Sequence, residues 1–452
     1  MTAFDVEGKR VTVVGAARSG VAAAKLLARK GARVTVSEAR DVPDSDALRA
    51  MGVAIEAGGH QRETFTSADL IVLSPGVPPD LPPITAAREQ RIPIVGELEL
   101  ASRWLKGRLI AITGTKGKST TTALTGRMLE AAGFKVTVGG NIGHPLSAQV
   151  TDSTPETLHV VEASSFQLEQ IDTFHPWIAV VLNFSPDHLD RHPTVDAYAA
   201  AKARIFQNQE PTDWAVVNAD DPSVLELAAG TRAVKRYFAR SSAIPEGTVI
   251  ERDWIVERRK AATERLIPLD AIHLLGPHLV VDVMAAATVG AIAGASPMAM
   301  TAAVDAFPGL EHAMELVADI GGVRFVNDSK ATNIESALRS IESFDNGLVP
   351  IMGGRFKGGD LGLLKRPLAT RAKAVVAIGE SRPLFAGALS GTVPVYEAES
   401  LPAAVGRAFE VAMPSGVVLL APACASFDMF RDYAERGQRF KEEVRKLEMA
   451  NG

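Results

Sequence analysis

Residues 109–120 read Leu-Ile-Ala-Ile-Thr-Gly-Thr-Lys-Gly-Lys-Ser-Thr, and this stretch decides the fold. The apolar run Leu109–Ile112 predicts a strand, and Gly114 and Gly117 bracket a tight turn. From Lys118 a helical pattern runs to about Ala132 and stops at Gly133. Strand, glycine turn and helix N-terminus form a phosphate cradle, because backbone N–H groups and the positive end of the helix dipole face an anion. Lys118 can reach β- and γ-phosphates, and the Ser119 or Thr120 hydroxyl can ligate Mg²⁺. The spacing is a shortened variant, G-x-x-G-K-S-T: Ile112 stands where the first glycine of the usual loop belongs, and Gly114 comes two residues later. An ordinary glycine-rich strand-to-helix turn is the alternative. A Gly-Lys-Ser-Thr run opening a helix after an apolar strand points instead to ATP or GTP.

On both sides of this stretch, strand and helix signals alternate, which predicts parallel α/β sheets. Arg10–Val14, Ala32–Ser37 and Leu70–Leu73 read as strands before it, and His159–Glu162, Ile178–Asn183 and Trp214–Asn218 after it. Beyond Phe307-Pro308-Gly309, strands are expected at Val323–Val326, Leu348–Met352, Ala374–Ile378 and Val417–Ala421. Gly96–Leu100 opens a helix leading into the 109–112 strand, and Ala285–Ala295 is a packed alanine-rich helix. Residues 240–270 are charged and read as irregular. The expected architecture is α/β with three domains. Residues 1–97 are Rossmann-like, 98–306 form a central P-loop ATPase-like mononucleotide-binding domain, and 307–452 are again Rossmann-like.

The bulk composition sets limits on function. A chain of 452 residues is too long for one core. Hydrophobic content of 46% and charged content of 22% are ordinary for a globular protein. A formal net charge of −5 argues against a non-specific nucleic-acid or anionic-membrane binder. One cysteine, Cys424, excludes an internal disulfide and a cysteine-based zinc site. The opening MTAFDVEGKR lacks the apolar core of a signal peptide, and the longest apolar runs are too short to span a bilayer. The expectation is a cytoplasmic, monomeric enzyme that neither binds nucleic acid nor inserts into membranes.

Several strand-end loops carry candidate chemistry, as expected for ligand sites in open parallel sheets. Gly15–Gly20 (GAARSG) is similar to a dinucleotide fingerprint without its middle glycine. Ala17 places a methyl group where a pyrophosphate would approach, so the turn either holds a diphosphate in a modified pose or is structural. Glu38 and Arg40 lie where a nucleotide sugar or base would be read. In HVVEASSFQLE (159–169) a buried strand delivers Glu162 to its carboxyl end, as an Mg²⁺ ligand or a helix-capping glutamate, and Ser164 or Ser165 can cap the next helix. In NFSPDHLDRH (183–192) His188 is a candidate ligand for a second metal, and His192 reads as surface. Lys202, on a helix, reads from its spacing as a solvated lysine.

In NDSKATN (327–333) Asp328 can accept from a ribose hydroxyl. Lys330 can lie against a phosphate or acyl phosphate, with Thr332 beside it. A turn-and-cap reading accounts for the same residue types. GGRFKG (353–358) and PACASF (422–427) offer Lys357 and Ser426 as a clamp for an amino-acid carboxylate. No histidine or other base is evident near Cys424 in the sequence, and it reads as structural.

Together these stretches resemble the Mur ligases, the ATP-dependent amino-acid ligases of peptidoglycan synthesis. The resemblance runs over essentially the whole chain. It is carried by SPG (74–76), TGTKGKSTT (113–121), GGNIG (139–143), EASSFQLE (162–169), the DHLDRH region (187–192) with Lys202 downstream, and NDSKATN (327–333). The closing PACASFDMFRDYAERGQRF (422–440) is similar to the glutamate-adding members in particular.

This resemblance implies UDP-N-acetylmuramoyl-L-alanine and glutamate as substrates, ATP as co-substrate and Mg²⁺ at two sites. It implies that Ala17, Arg18, Glu38, Arg40, Ser74, Pro75 and Gly76 hold the uridine diphosphate group and Asn141 the muramoyl group. Gly114, Thr115, Lys116, Gly117, Lys118, Ser119, Thr120, Asp282, Asp328 and Lys330 would bind ATP. Ser119, Glu162, His188 and Lys202 would serve the metals, with Lys202 carbamylated. Lys118, His188 and Lys202 would be the catalytic groups. Lys330, Thr332, Lys357, Ser426 and Phe427 would form the glutamate site.

The chain departs from the family pattern at Lys116, where Asn is common. It also departs at Leu279 and Asp282, where Asn is usual, and at Ala313, where Arg is usual. Rival readings are another amide-forming relative adding L-Ala, L-Glu or a diamino acid, or glutamate to a folate. A P-loop switch or motor and a nicotinamide oxidoreductase are more distant rivals.

Overall fold

A computed structural model describes residues 4–42, 45–187, 191–240, 244–260, 262–274 and 276–451. Two compact units are present, Met1–Ile272 with Val281–Ala306, and His273–Val280 with Phe307–Gly452.

The first unit contains two sheets. One comprises β1 (Arg10–Val14), β2 (Arg33–Glu38), β3 (Ala54–Ala57), β4 (Leu70–Leu73) and β5 (Ile94–Gly96). These strands are all parallel, in the order β3-β2-β1-β4-β5. The order reverses beside β1, so a crevice opens at the carboxyl ends of β1 and β4. The second sheet comprises β6 (Arg108–Thr113), β7 (Lys135–Gly140), β8 (Thr157–Glu162), β9 (Ile178–Val181), β10 (Trp214–Asn218), β11 (Val234–Ala239), β12 (Gly247–Glu251), β13 (Trp254–Arg259) and β14 (Ala262–Pro268). Its order is β14-β13-β12-β11-β10-β9-β6-β8-β7. Strands such as β9 (IAVV) are buried along their whole length, the signature of parallel strands covered on both faces.

The second unit carries β15 (Glu315–Ile320), β16 (Val323–Asn327), β17 (Leu348–Gly353), β18 (Val375–Ile378), β19 (Val395–Glu397) and β20 (Gly416–Leu420). The order is β15-β16-β20-β17-β18-β19. Only the β15–β16 pair is antiparallel. Separate apolar clusters fill the two sides of this sheet. One is built on Ile334, Leu348, Met352 and Leu419, the other on Phe325, Ile351, Leu420 and Phe440.

The expected strands are present, with ends displaced by a residue or two. The helix after β1 spans Arg18–Arg29, and the alanine-rich helix extends over Pro277–Ala293. Residues 240–270 differ from the expectation: β12, β13 and β14 form antiparallel pairs at the edge of the second sheet. Their charges mislead because an edge carries charged residues as protection against further strand pairing. In β14, Ala262–Arg265 are exposed and only Leu266 and Ile267 are buried. Arg252, at φ 53°, makes the tight turn between β12 and β13. No described helix is long and apolar enough to cross a membrane.

The turn after β1 shows how closely backbone is packed at the crevice. A Cβ on Gly20 would lie 1.8 Å from the Gly15 carbonyl oxygen and 2.7 Å from Ser74 Oγ. That hydroxyl donates to the same carbonyl at 3.0 Å. Gly20→Ala is therefore expected to destabilise the fold by about 2–3 kcal/mol, read as a lower thermal midpoint. An unchanged midpoint would contradict this packing.

Candidate active site

The chain leaves β6 at Thr113 and turns through Gly114 (φ 154°) and Gly117 (φ 81°) into the helix Lys118–Ala131. Both turns need backbone conformations that a side chain disfavours. A Cβ on Gly117 would also lie 2.1 Å from Asp282 Oδ1, so Asp282, 3% exposed, stands directly against the turn. The first amides of this helix have no intrahelical acceptor and can serve an anion. Lys118 Nζ donates to the carbonyls of Gly114 and Thr115, both at 3.0 Å.

Lys202 is where the structure departs most from the sequence expectation. On the helix Val195–Ala203 it is 1% exposed, not solvated, and its Nζ donates to the Gly114 carbonyl at 2.8 Å. Burial, followed by the charge of Lys118, drives its pKa well below that of a free lysine, while Asp187 and Glu162 oppose the shift. The Tyr198 ring lies 4.7 Å from Nζ, and the Tyr198 hydroxyl meets Thr115 Oγ1 at 3.3 Å. Burial pushes the Tyr198 hydroxyl up to about 12.

A residue that the sequence reading passed over fixes the turn. Asn183, two residues beyond β9, accepts from Lys116 N through Oδ1 at 2.9 Å and donates from Nδ2 to the Lys116 carbonyl at 3.0 Å. Its own carbonyl accepts from Thr115 N at 3.1 Å. Thr115 Oγ1 then donates to the Ser185 carbonyl at 3.1 Å and accepts from Ser185 N at 3.0 Å. Asn183 thus pairs with Lys116 as a neighbouring strand would. Its detectable signal was a lone amide side chain just past a fully buried strand. The Lys116 ammonium meets Asp187 at 3.4 Å.

His188 lies outside the described residues. His192 is fully buried, not at the surface, with Nε2 2.9 Å from Ser165 Oγ and Nδ1 3.1 Å from Glu169 Oε1. Ser164 caps the following short helix together with Gln167.

Glu162 ends β8 and pairs in register with Ile112 of β6. It is 2% exposed. Oε1 accepts from Asn141 Nδ2 at 2.7 Å, whereas Oε2 is buried without a hydrogen-bond partner among the described residues. A buried carboxylate oxygen left unsatisfied is costly, and a divalent cation would satisfy it. Carboxylate and hydroxyl oxygens are the donors Mg²⁺ takes, with water and phosphate filling the remaining positions. The residues therefore fit such an ion. Among the described residues, no group of three or more His, Cys, Asp and Glu side chains is arranged to hold a metal without such help.

A cleft of about 790 Å³ opens at the carboxyl ends of β1, β2 and β4. Ala17, Arg18, Glu38, Arg40, Ser74, Pro75, Gly76 and Asn141 all line it. The sequence reading missed His60 and Gln167, which complete its wall. Glu38 Oε2 accepts from Ala16 N at 2.7 Å, and Arg18 Nη1 donates to the Gly143 carbonyl at 3.1 Å.

In the second unit the three predicted loops follow β16, β20 and β17, which are adjacent strands. Lys330 and Lys357 are exposed, Thr332 is half-buried and Ser426 is buried. Phe427 is 64% exposed. Asp328 is buried. At 7% exposure, its Oδ1 accepts from Met314 N at 3.2 Å and its Oδ2 from the Ser340 hydroxyl. Cys424 is buried and burial raises its thiol pKa, as suits a structural residue.

The chain belongs to the Mur ligase family. The Mur ligase MurD-like N-terminal domain matches residues 9–96, the Mur ligase middle domain 112–290, and the Mur ligase glutamate ligase domain 313–424. The UDP-N-acetylmuramoylalanine–D-glutamate ligase of Acidobacterium capsulatum is 47% identical, over 98% of this chain and 97% of its own. The enzyme of the same name from Koribacter versatilis is 44% identical, over 98% and 99%. Among solved structures, the fold is similar to that of a pseudomurein peptide ligase type C from Methanothermus fervidus (TM-score 0.60, 17% identity, 97% of this chain and 100% of that one). It is equally similar to UDP-N-acetylmuramate–alanine ligase MurC from Thermotoga maritima (TM-score 0.60, 21% identity, 97% and 100%).

Asn183→Asp keeps the acceptor to Lys116 N and removes the donor to its carbonyl. Nucleotide affinity, measured by calorimetry with a non-hydrolysable triphosphate, is expected to fall about tenfold, as for the loss of a residue that orients a site. Unchanged affinity would show that the turn holds its shape without this pairing.

Proposed function

We propose that this protein is an ATP-dependent ligase that joins D-glutamate to UDP-N-acetylmuramoyl-L-alanine through an acyl phosphate. The name borne by its relatives at 42–47% identity over nearly the whole chain supports the substrates. The observation that carries the reading is Asn141. It lines the wide cleft and hydrogen-bonds Glu162 at the end of the strand beside the phosphate turn. A long substrate held by its diphosphate in the cleft would thereby present its far end to a triphosphate on the turn.

In this reading the γ-phosphoryl group passes from ATP to the terminal carboxylate of the alanyl group. Lys118, at the helix start, offsets the charge on the transferring oxygens, so catalysis is chiefly positioning and electrostatics. The glutamate amine, as the free base, attacks the acyl carbon, and one of its two N–H protons passes to solvent while the other stays on the amide nitrogen. The tetrahedral intermediate collapses as the bond to phosphate breaks. No protein nucleophile is required. Mg²⁺, at two sites served by Ser119, Glu162, His188 and Lys202, supplies charge neutralisation on the phosphates when bound.

Burial explains how Lys202 would join such a set. A lysine held neutral is the form that combines with carbon dioxide, forming an N–C bond and losing a proton, and the resulting carbamate is an anionic oxygen donor. Asp282 and Lys116 would border the nucleotide in the first unit, and Asp328 and Lys330 are the second unit's own candidates for nucleotide contact. Thr332, Lys357, Ser426 and Phe427 would receive glutamate. We assign 1–97 to the UDP-substrate, 98–306 to ATP and 307–452 to the amino acid, in a monomer acting in the cytoplasm.

Two measurements test this. ADP release should require both the UDP-muramoyl peptide and an amino acid, with D-glutamate preferred in a panel that includes L-glutamate, L-alanine and a diamino acid. Preference for another amino acid would redirect the assignment within the family. Lys202→Ala should lower kcat by at least about 100-fold, without rescue by bicarbonate. A fully active variant would remove Lys202 from the mechanism.

A further inference from the structure

Among the described residues, the largest fully buried side chain is Arg436, 1% exposed, in the first turn of the helix Tyr433–Asn451. Its position is unfavourable twice over. A buried guanidinium loses its hydration, and a cation in the first turn opposes the positive end of a 19-residue helix. Among the described residues it forms no ion pair. Its donors go to neutral groups: Nε to Ser329 Oγ at 2.9 Å, Nη2 to the Ser329 carbonyl at 2.9 Å, and Nη1 to the Cys424 carbonyl at 3.2 Å. Desolvation accordingly lowers its pKa to about 10, opposed by Cys424 and Asp428. Asp428 is the carboxylate in its field, and its Oδ2 accepts from Glu380 N at 3.0 Å.

The two residues that Arg436 bridges belong to two of the three strand-end loops of this unit. Ser329 lies in the loop after β16, between Asp328 and Lys330. Cys424 lies in the loop after β20, two residues before Ser426. These loops are also joined by Ala423 N donating to the Ala331 carbonyl at 2.9 Å. The third loop passes nearby, since a Cβ on Gly354 would lie 3.4 Å from Arg436 Nη1. Cys424 feels the charges of both Arg436 and Lys357. One buried positive charge therefore stands behind the junction of all three loops, with Lys330 and Lys357 on the exposed side.

We propose that Arg436 is a positioning residue that selects an amino acid bearing a second carboxylate, by bracing the 327–333 and 422–427 loops and placing behind them a buried positive charge that forms no ion pair among the described residues. It touches no substrate. The site is filled most favourably by a ligand whose extra negative charge is drawn to that field. Resting on the glutamate-ligase reading above, the inference adds a source of discrimination against the isosteric neutral amide, which offers the same shape without the charge.

The test is steady-state ADP release by the full-length protein, with glutamate and glutamine compared in wild type, Arg436→Gln and Arg436→Lys. Arg436→Gln should raise KM for glutamate at least about tenfold, as for removal of a charge that favours an anion. KM for ATP and for the UDP-linked substrate should stay within about twofold, and the glutamate/glutamine ratio of kcat/KM should collapse. Arg436→Lys, which keeps the charge and loses the planar fork, should retain most of that ratio while lowering kcat. A merely structural role predicts that all parameters fall together and the ratio survives, which would overturn the proposal.

Asp428→Asn provides a test that leaves Arg436 in place, should Arg436→Gln fail to fold. Removing that carboxylate should raise the ratio two- to threefold, and no change would count against the field. A wild type that favours a neutral amino acid would overturn both this inference and the glutamate reading. A wild type that favours glutamate, with variants whose ratio is unchanged, would overturn this inference alone.

Discussion

The carbonyl oxygen of Gly114 receives two ammonium groups, Lys118 at 3.0 Å and Lys202 at 2.8 Å. Two like charges on one acceptor, one of them almost wholly buried, cannot persist without nearby anions or loss of a proton. The neighbourhood supplies both remedies. Glu162 and Asp187 oppose the shift at Lys202, and its pKa is nevertheless depressed well below the ordinary value. The turn is therefore electropositive and primed for a polyanion. The surrounding hydrogen bonds keep it in that state. Asn183 fixes Lys116 from one side, Ser185 and Tyr198 hold Thr115 from another, and Asp282 closes the space against Gly117.

Much of this was legible in the sequence because the signals were local. Gly114 and Gly117 adopt backbone angles that only glycine accommodates readily, so their spacing encodes the turn. Glu38 and Ser74 stand at strand ends that could be read from apolar runs, whereas Asn141, just past β7, came only from the family resemblance. Lys202 and His192 were not legible, because burial is a tertiary property. The helix around Lys202 is so rich in alanine that no apolar stripe marks which side faces inward. His192 owes its burial to packing against Phe166 and Tyr198, at 5.4 and 5.1 Å between ring centres. Asn183 was overlooked because a single asparagine after a strand is also an ordinary loop residue. Arg436 was overlooked because an arginine at the start of a charged helix reads as solvated. The edge strands β12 to β14 were missed because their exposed charges mask the alternation on which a strand assignment depends.

Lys202 and Arg436 pose the same physical problem in separate units and resolve it differently. Both are buried cations whose nearest hydrogen-bond partners are neutral oxygens. Lysine titrates readily when desolvated, so at Lys202 the strain can be relieved by losing the proton, leaving a nucleophilic amine in the field of Glu162, whose Oε2 has no hydrogen-bond partner among the described residues. Arginine keeps its charge, because even a guanidinium depressed to about 10 remains protonated at neutral pH. The residue type at each place therefore decides whether burial yields a reactive neutral group or a fixed field. A fixed field suits the recognition of a small anion whose identity must be judged by charge. A titratable amine would suit the role proposed for Lys202, in which the charge changes sign before metal and phosphate are held together.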